Sequence, residues 1–160
     1  MSDDDYFVEN TLGWLARDLD DDDGYDSLTE PERTATLAWV LDRTLRSRGI
    51  VGWVTGHGPR SDDALAALRA VGAGAHADAL EPGLQAYPDR ADPDPEARFG
   101  PAEGEGTGEA GAATPVDSEA AHRAESAYLA LTRRDDVVER HVRPFIEQRP
   151  KDFPQDVDDL

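Results

Sequence analysis

The chain has no cysteine, one lysine, one methionine and few aromatic residues. Each shortage narrows what it can be. Without cysteine there are no disulfides and no thiolate chemistry, which suits a reducing compartment. No run of about 18 apolar residues occurs, so no membrane helix is expected. The opening residues, MSDDDYF, offer neither the basic nor the apolar part of a signal peptide, and a cytoplasmic location is expected. Aromatic residues make up 7%, and the 38% hydrophobic content includes many alanines, so a core in this 160-residue chain rests on few large side chains.

Negative charge is abundant. The net charge is −19, unevenly spread. Residues 1–32 carry twelve acids and one base, and residues 61–117 carry twelve acids and three bases. Residues 33–60 are the exception, a basic island of five arginines and one acid. Residues 118–160 carry ten acids and seven bases. Such a balance repels nucleic acid and anionic membranes and attracts basic partners. The sixteen bases comprise fifteen arginines and Lys151. Scarce lysine with abundant aspartate also fits a GC-rich genome or a salt-adapted surface, where acidity serves solubility alone.

Helical periodicity organises the chain. Val8, Leu12, Leu15 and Leu19 make a stripe over residues 1–19. Asp20 to Ser27, DDDDGYDS, reads as an acidic loop. It partly resembles a calcium loop, with Asp21, Asp23 and Glu30 at ligand positions around Gly24, but Leu19 occupies the leading ligand position. Thr29 and Glu32 have capping-box spacing, and Pro31 suits a first helical turn. The helix they open should carry Leu37, Val40, Leu41, Thr44 and Leu45 inward and close at Gly49. Residues 50–56 are short and glycine-broken, compatible with one buried turn or two, or a short strand. Ser61 is expected to cap a helix with Leu65, Leu68 and Val71 inside, followed by another over 75–87 that Pro82 kinks or divides. Residues 90–115, rich in Pro, Gly and acids, read as a mobile loop or linker. Ser118 should cap a helix with Ala121, Ala124, Tyr128 and Leu131 inside. A last helix from Asp135 should bury Val138, Val142, Phe145 and Ile146 and bend at Pro144. The acidic tail 154–160 is expected to fray, with Phe153 docking before it. The fold class is therefore all-α: a single-domain bundle of about six or seven helices with one long acidic loop.

No motif carries catalysis. His57, His76, His122 and His141 are scattered, with no i, i+4 pair, and are expected to be surface or half-buried imidazoles rather than metal ligands. No G-x-S-x-G surrounds a serine. Glycines 49, 52, 56 and 58 near Arg60 hint at a phosphate cradle for a small hydrolase or ligand-binding protein, without the sequence of a P-loop. Neither enzyme activity nor a cofactor or metal is expected.

The order of features in 28–87 and 118–153 resembles a family of small helical proteins of unknown function associated with DNA-mimic proteins. The resemblance runs through Leu37-x-x-Val40-Leu41, the glycine-bearing turn Ser47 to Gly58, and Ala67-Leu68-Arg69-Ala70-Val71-Gly72-Ala73. It continues in Glu125-Ser126-Ala127-Tyr128 and Val142-Arg143-Pro144-Phe145-Ile146, ending near Asp152-Phe153. The turn departs from the family's N-G-G-F-x-Q-Y-F-x-N pattern: Ser47-Arg48 replaces Asn-Gly, and Gly52 and Gly56 replace Gln and the second Asn. The resemblance implies a protein whose carboxylates imitate DNA phosphates, which present one charge per ~1.7 Å of helix axis. The expected partner is a basic protein, a DNA-binding one included, with no nucleic acid or membrane contact; a homo-oligomer is left open. The densest acidic cluster, Asp3, Asp4, Asp5, Asp20, Asp21, Asp22, Asp23 and Asp26, is the expected contact surface.

Overall fold

Helix α1 (Asp3–Leu15) leads through a 3-10 turn (Ala16–Asp20) into α2 (Asp22–Ser27), in a computed structural model that describes residues 3–20, 22–87 and 117–153. Then come α3 (Glu30–His57), a 3-10 turn (Gly58–Arg60), α4 (Ser61–Ala70) and α5 (Gly74–Gln85). The closing elements are α6 (Ser118–Arg134), a π-helical turn (Val138–Val142), α7 (Arg143–Glu147) and a 3-10 turn (Pro150–Asp152). No strand occurs among the described residues, and the fold is an all-α single domain. The expected loop 90–115 and tail 154–160 lie outside the described residues, as does Asp21.

Helix α3 is the axis of the bundle. Thr29 caps it: the Thr29 hydroxyl accepts from Glu32 N at 3.3 Å and Glu32 Oε1 accepts from Thr29 N at 2.9 Å. This reciprocal pair satisfies two amides that a helix start otherwise leaves unpaired. Leu37, Leu41, Thr44 and Leu45 are buried and Val40 is half-buried, as the stripe requires. At Gly49 the helix breaks, with φ 71° and ψ −172°. The break is where the expected C-terminus fell, but helical structure resumes at once. Residues 50–57 are thus about two helical turns and not a strand. Glu125 of α6 explains the restart: its Oε1 accepts from Ile50 N at 2.7 Å, capping the second half of α3 from another helix. A side chain at Gly49 would meet both the left-handed penalty and the Glu125 carboxylate.

Helices α1, α4, α5 and α6 pack around α3, with the tightest association between α5 and α6. Gly83 allows it, since a Cβ there would stand 2.6 Å from both Ala124 Cβ and Ile50 Cδ1. Trp53, Tyr128, Leu12, Leu15, Leu37, Leu41, Leu68, Leu80 and Leu84 form the centre. Phe153 docks edge-on against Phe145, ring centroids 6.4 Å apart.

Three local expectations fail. The acidic stretch after Asp20 is a short helix rather than a loop, because Tyr25 within it is buried against the body. Ser61 is the first residue of α4 rather than its cap; its buried hydroxyl donates to Gly58 O at 2.7 Å and accepts from Trp53 Nε1 at 3.0 Å. Asp117, one residue before Ser118, caps α6 by accepting from Ala120 N at 3.0 Å. The bend expected at Pro144 is preceded by the π turn, which places an extra residue in the helix just ahead of the proline.

Candidate functional site

Two polar regions stand out. The first is the acidic shoulder formed by α2. Tyr25 points inward from it and donates to Asp63 Oδ2 at 2.6 Å. The guanidinium of Arg60 lies 3.7 Å from the Tyr25 ring centroid and that of Arg33 lies 5.0 Å from it. Arg33 also donates to Leu28 O at 3.0 Å. Burial and the Asp63 bond push the Tyr25 hydroxyl up to about 12, against the two arginines. The contacts of the two cations with the ring fasten α2 to the start of α3 and to the turn after it. Arg60 lies over Tyr25, and the glycines before it lie in or beside the second half of α3 rather than in an open loop.

The expected contact residues divide between two places. Asp3, Asp4 and Asp5 form the first turn of α1, while Asp20 ends the following 3-10 turn and Asp22 opens α2. Since α1 is 13 residues long, the first group lies about 18 Å along the helix from its end. Helix α2 packs on the 3-10 turn beyond that end, so Asp20, Asp22, Asp23 and Asp26 sit on adjoining elements. Asp23 and Asp26 are exposed and three positions apart, which puts them on one helical face.

The second region is a polar seam, buried at Asp42 and Tyr128, between α3, α6 and the segment leading to the π turn. Tyr128 OH donates to Asp42 Oδ1 at 2.7 Å, and Asp42 Oδ2 accepts from Arg46 Nε at 2.9 Å. Arg46 Nη2 reaches Asp136 Oδ2 at 2.8 Å, and Asp136 Oδ1 accepts from Glu139 N at 3.0 Å. Asp42 is buried, and desolvation pushes its carboxyl up against the pull of Tyr128 and Arg46. The Tyr128 hydroxyl is pushed up by desolvation and by the Asp42 charge. Asp136, half-buried, is nevertheless held below the usual carboxylate range, because the Glu139 amide and Arg46 outweigh its desolvation.

The seam continues into a histidine pair. His76 of α5 is buried, and its Nε2 lies 2.9 Å from the carbonyl oxygen of Asp135. His141 of the π turn lies with Nε2 2.8 Å from Asp135 Oδ2. The two imidazoles are 5.9 Å apart, and His76 also meets the Tyr128 ring edge-on at 5.5 Å. Burial pushes His76 down, and the His141 bond holds Asp135 below its ordinary range. The expectation of four scattered imidazoles fails for this pair; His57 instead packs on Trp53 and His122 is exposed. No spacing rule reveals the cluster, because 59 positions separate His76 from Asp135. Asp42 did leave a trace, as the single acid of residues 33–60, beside Leu41 and four positions before Arg46.

A protein-family model described as DMP19-like protein matches residues 26–149, more than three-quarters of the chain, and the chain belongs to that family. No curated protein and no solved structure matches it. No described helix is long and apolar enough to cross a membrane.

Proposed function

We propose that this member of the DMP19-like family is a non-enzymatic, DNA-mimic-like binding protein whose acidic surface engages a basic protein of the DNA-binding kind. The observation that carries this reading is that four of the five arginines of the basic island are engaged within the molecule. Of the five arginines in 33–60, Arg33 and Arg60 face Tyr25, Arg43 lies 4.6 Å over the Trp39 ring, and Arg46 holds Asp42 and Asp136. Four of these five arginines are thus engaged by the chain's own rings and carboxylates, while Asp23, Asp26, Glu30 and Asp62 are exposed. The described residues still carry 24 acids against 14 bases, net −10. Carboxylates on short rigid helices suit a basic groove shaped for phosphates, and they steer encounter electrostatically. The resemblance to a family associated with DNA mimics points the same way.

The test is capture by the immobilised full chain from an extract of its own cells, over a salt series. Basic DNA-binding proteins should be retained at low salt, elute as salt rises and be displaced by duplex DNA. Retention of none of them sinks the reading. The second reading is a helical protein of another task whose acidity reflects a high-salt or GC-rich host. The single lysine against fifteen arginines favours it. Equally lysine-poor, aspartate-rich proteins throughout the same cell would strengthen it.

A further inference from the structure

We propose that His76, Asp135 and His141 form a binding site for a divalent first-row transition metal ion of the zinc class. Their ligand atoms lie within 4.8 Å of one another, although they come from α5, from the segment after α6 and from the π turn. Two imidazoles and one carboxylate are a nitrogen-rich set that suits Zn²⁺ and its neighbours and does not suit Ca²⁺ or Mg²⁺, which require oxygen ligands. An ion about 2.1 Å from each ligand needs them roughly 3–4 Å apart. Asp135 Oδ2 and His141 Nε2 already lie 2.8 Å apart, so one of that pair has to open slightly while His76 closes in. The metal takes the place of the proton between His141 and Asp135; a neutral imidazole carries that proton on Nδ1 instead, and an imidazolium releases it to solvent.

His76 adds an independent reason. The Asp135 carbonyl can only accept, so His76 Nε2 carries the proton, and the lone pair is on Nδ1. That Nδ1 is buried and has no hydrogen-bond partner. A buried lone pair without a donor is costly. A metal ion held at Nδ1 gives that lone pair a partner. Access is one-sided: His76 is buried, whereas the side chains of His141 and Asp135 are 17% and 35% exposed. The exposed side leaves room for water as a fourth ligand, the arrangement of an open zinc site. The π turn that carries His141 is a rare element, common at functional sites.

The experiment titrates ZnCl₂ into the chelator-treated full chain with excess MgCl₂ present to occupy surface carboxylates. It is repeated with CoCl₂, whose visible bands report coordination geometry. One equivalent of Zn²⁺ should bind and raise the thermal midpoint. Co²⁺ should give the intense bands of a four-coordinate nitrogen-bearing site. In a proton–carbon NMR spectrum only the His76 and His141 signals should move, with those of His57 and His122 unchanged. His141→Gln and Asp135→Asn should each weaken binding about tenfold or more and abolish the midpoint shift. Equal binding by the wild type and a folded variant overturns the proposal. So does a pale six-coordinate Co²⁺ spectrum, or movement of all four histidine signals. If neither variant folds, the wild-type NMR titration alone decides between these outcomes.

Discussion

The chain builds the same trio twice: a tyrosine donating to an aspartate, with arginine at hand. At the shoulder, Tyr25 bonds Asp63 while Arg33 and Arg60 face its ring. In the seam, Tyr128 bonds Asp42 while Arg46 joins Asp42 to Asp136. The trios differ in where the carboxylate lies. Asp63 is exposed and Asp42 is 1% exposed. At the shoulder, water can replace any lost bond and the arginines act mainly through the ring. In the seam nothing replaces a lost donor, and the arginine neutralises charge that has left solvent. One arrangement therefore presents acids outward and the other keeps an acid inside.

Removing the two hydroxyls tests this contrast most severely. Tyr128→Phe leaves the buried Asp42 carboxylate one donor short and should cost about 1–3 kcal/mol of unfolding free energy. Tyr25→Phe keeps the ring's contacts with its cations and leaves Asp63 to water, so the loss should stay below about 1 kcal/mol. Urea unfolding measures both. Equal losses would break the distinction between the two carboxylates.

Alkali sharpens the same contrast. Both hydroxyls are held above the ordinary tyrosine value of 10, Tyr25 up to about 12 and Tyr128 by a larger shift in the same direction. Above pH 10 the unfolded chain has lost these protons while the folded chain keeps them, so the folded state binds more protons and its stability falls as pH rises. The contribution is whole below pH 10 and disappears as pH passes each folded value. Spectrophotometric titration should find Tyr25 ionising in the folded protein before Tyr128, whose tyrosinate should form together with unfolding. Tyr128→Phe should flatten the alkaline loss of stability more than Tyr25→Phe does. Early ionisation of Tyr128 would mean that the seam admits solvent.

What the sequence made readable was local. The capping box at Thr29 and Glu32 shows in a three-residue spacing, and Gly49 marks the break in α3 because only that local backbone is involved. The stripes of α1, α4 and α5 follow from 3.6-residue periodicity. The rest depended on contacts across the fold. Nothing in DDDDGYDS announces a helix; Arg60, 35 positions after Tyr25, helps hold it. Ser61 has the residue type of a cap, and only the approach of Trp53 explains its burial. His76, Asp135 and His141 meet because α5 packs on α6 and the π turn follows, a placement that no motif encodes. The acidic contact surface was visible as composition, but the structure sets the start of α1 apart from the α2 group.

That separation leads to the prediction with the smallest effect on folding. Asp23 and Asp26 are exposed on one face of α2, whereas Tyr25 between them carries the attachment to the body. The double variant Asp23→Asn, Asp26→Asn should therefore change unfolding free energy by no more than about 0.5 kcal/mol, since exposed surface substitutions rarely do more. Under the proposed function it should still weaken capture of the basic partner and make retention less sensitive to salt, because two of the charges that draw the partner are gone. Chromatography of wild type and variant over one salt series reads both effects. A variant that keeps wild-type retention moves the contact elsewhere on the acidic surface. One that loses stability as well would show that α2 is held by its aspartates, and not by Tyr25 alone.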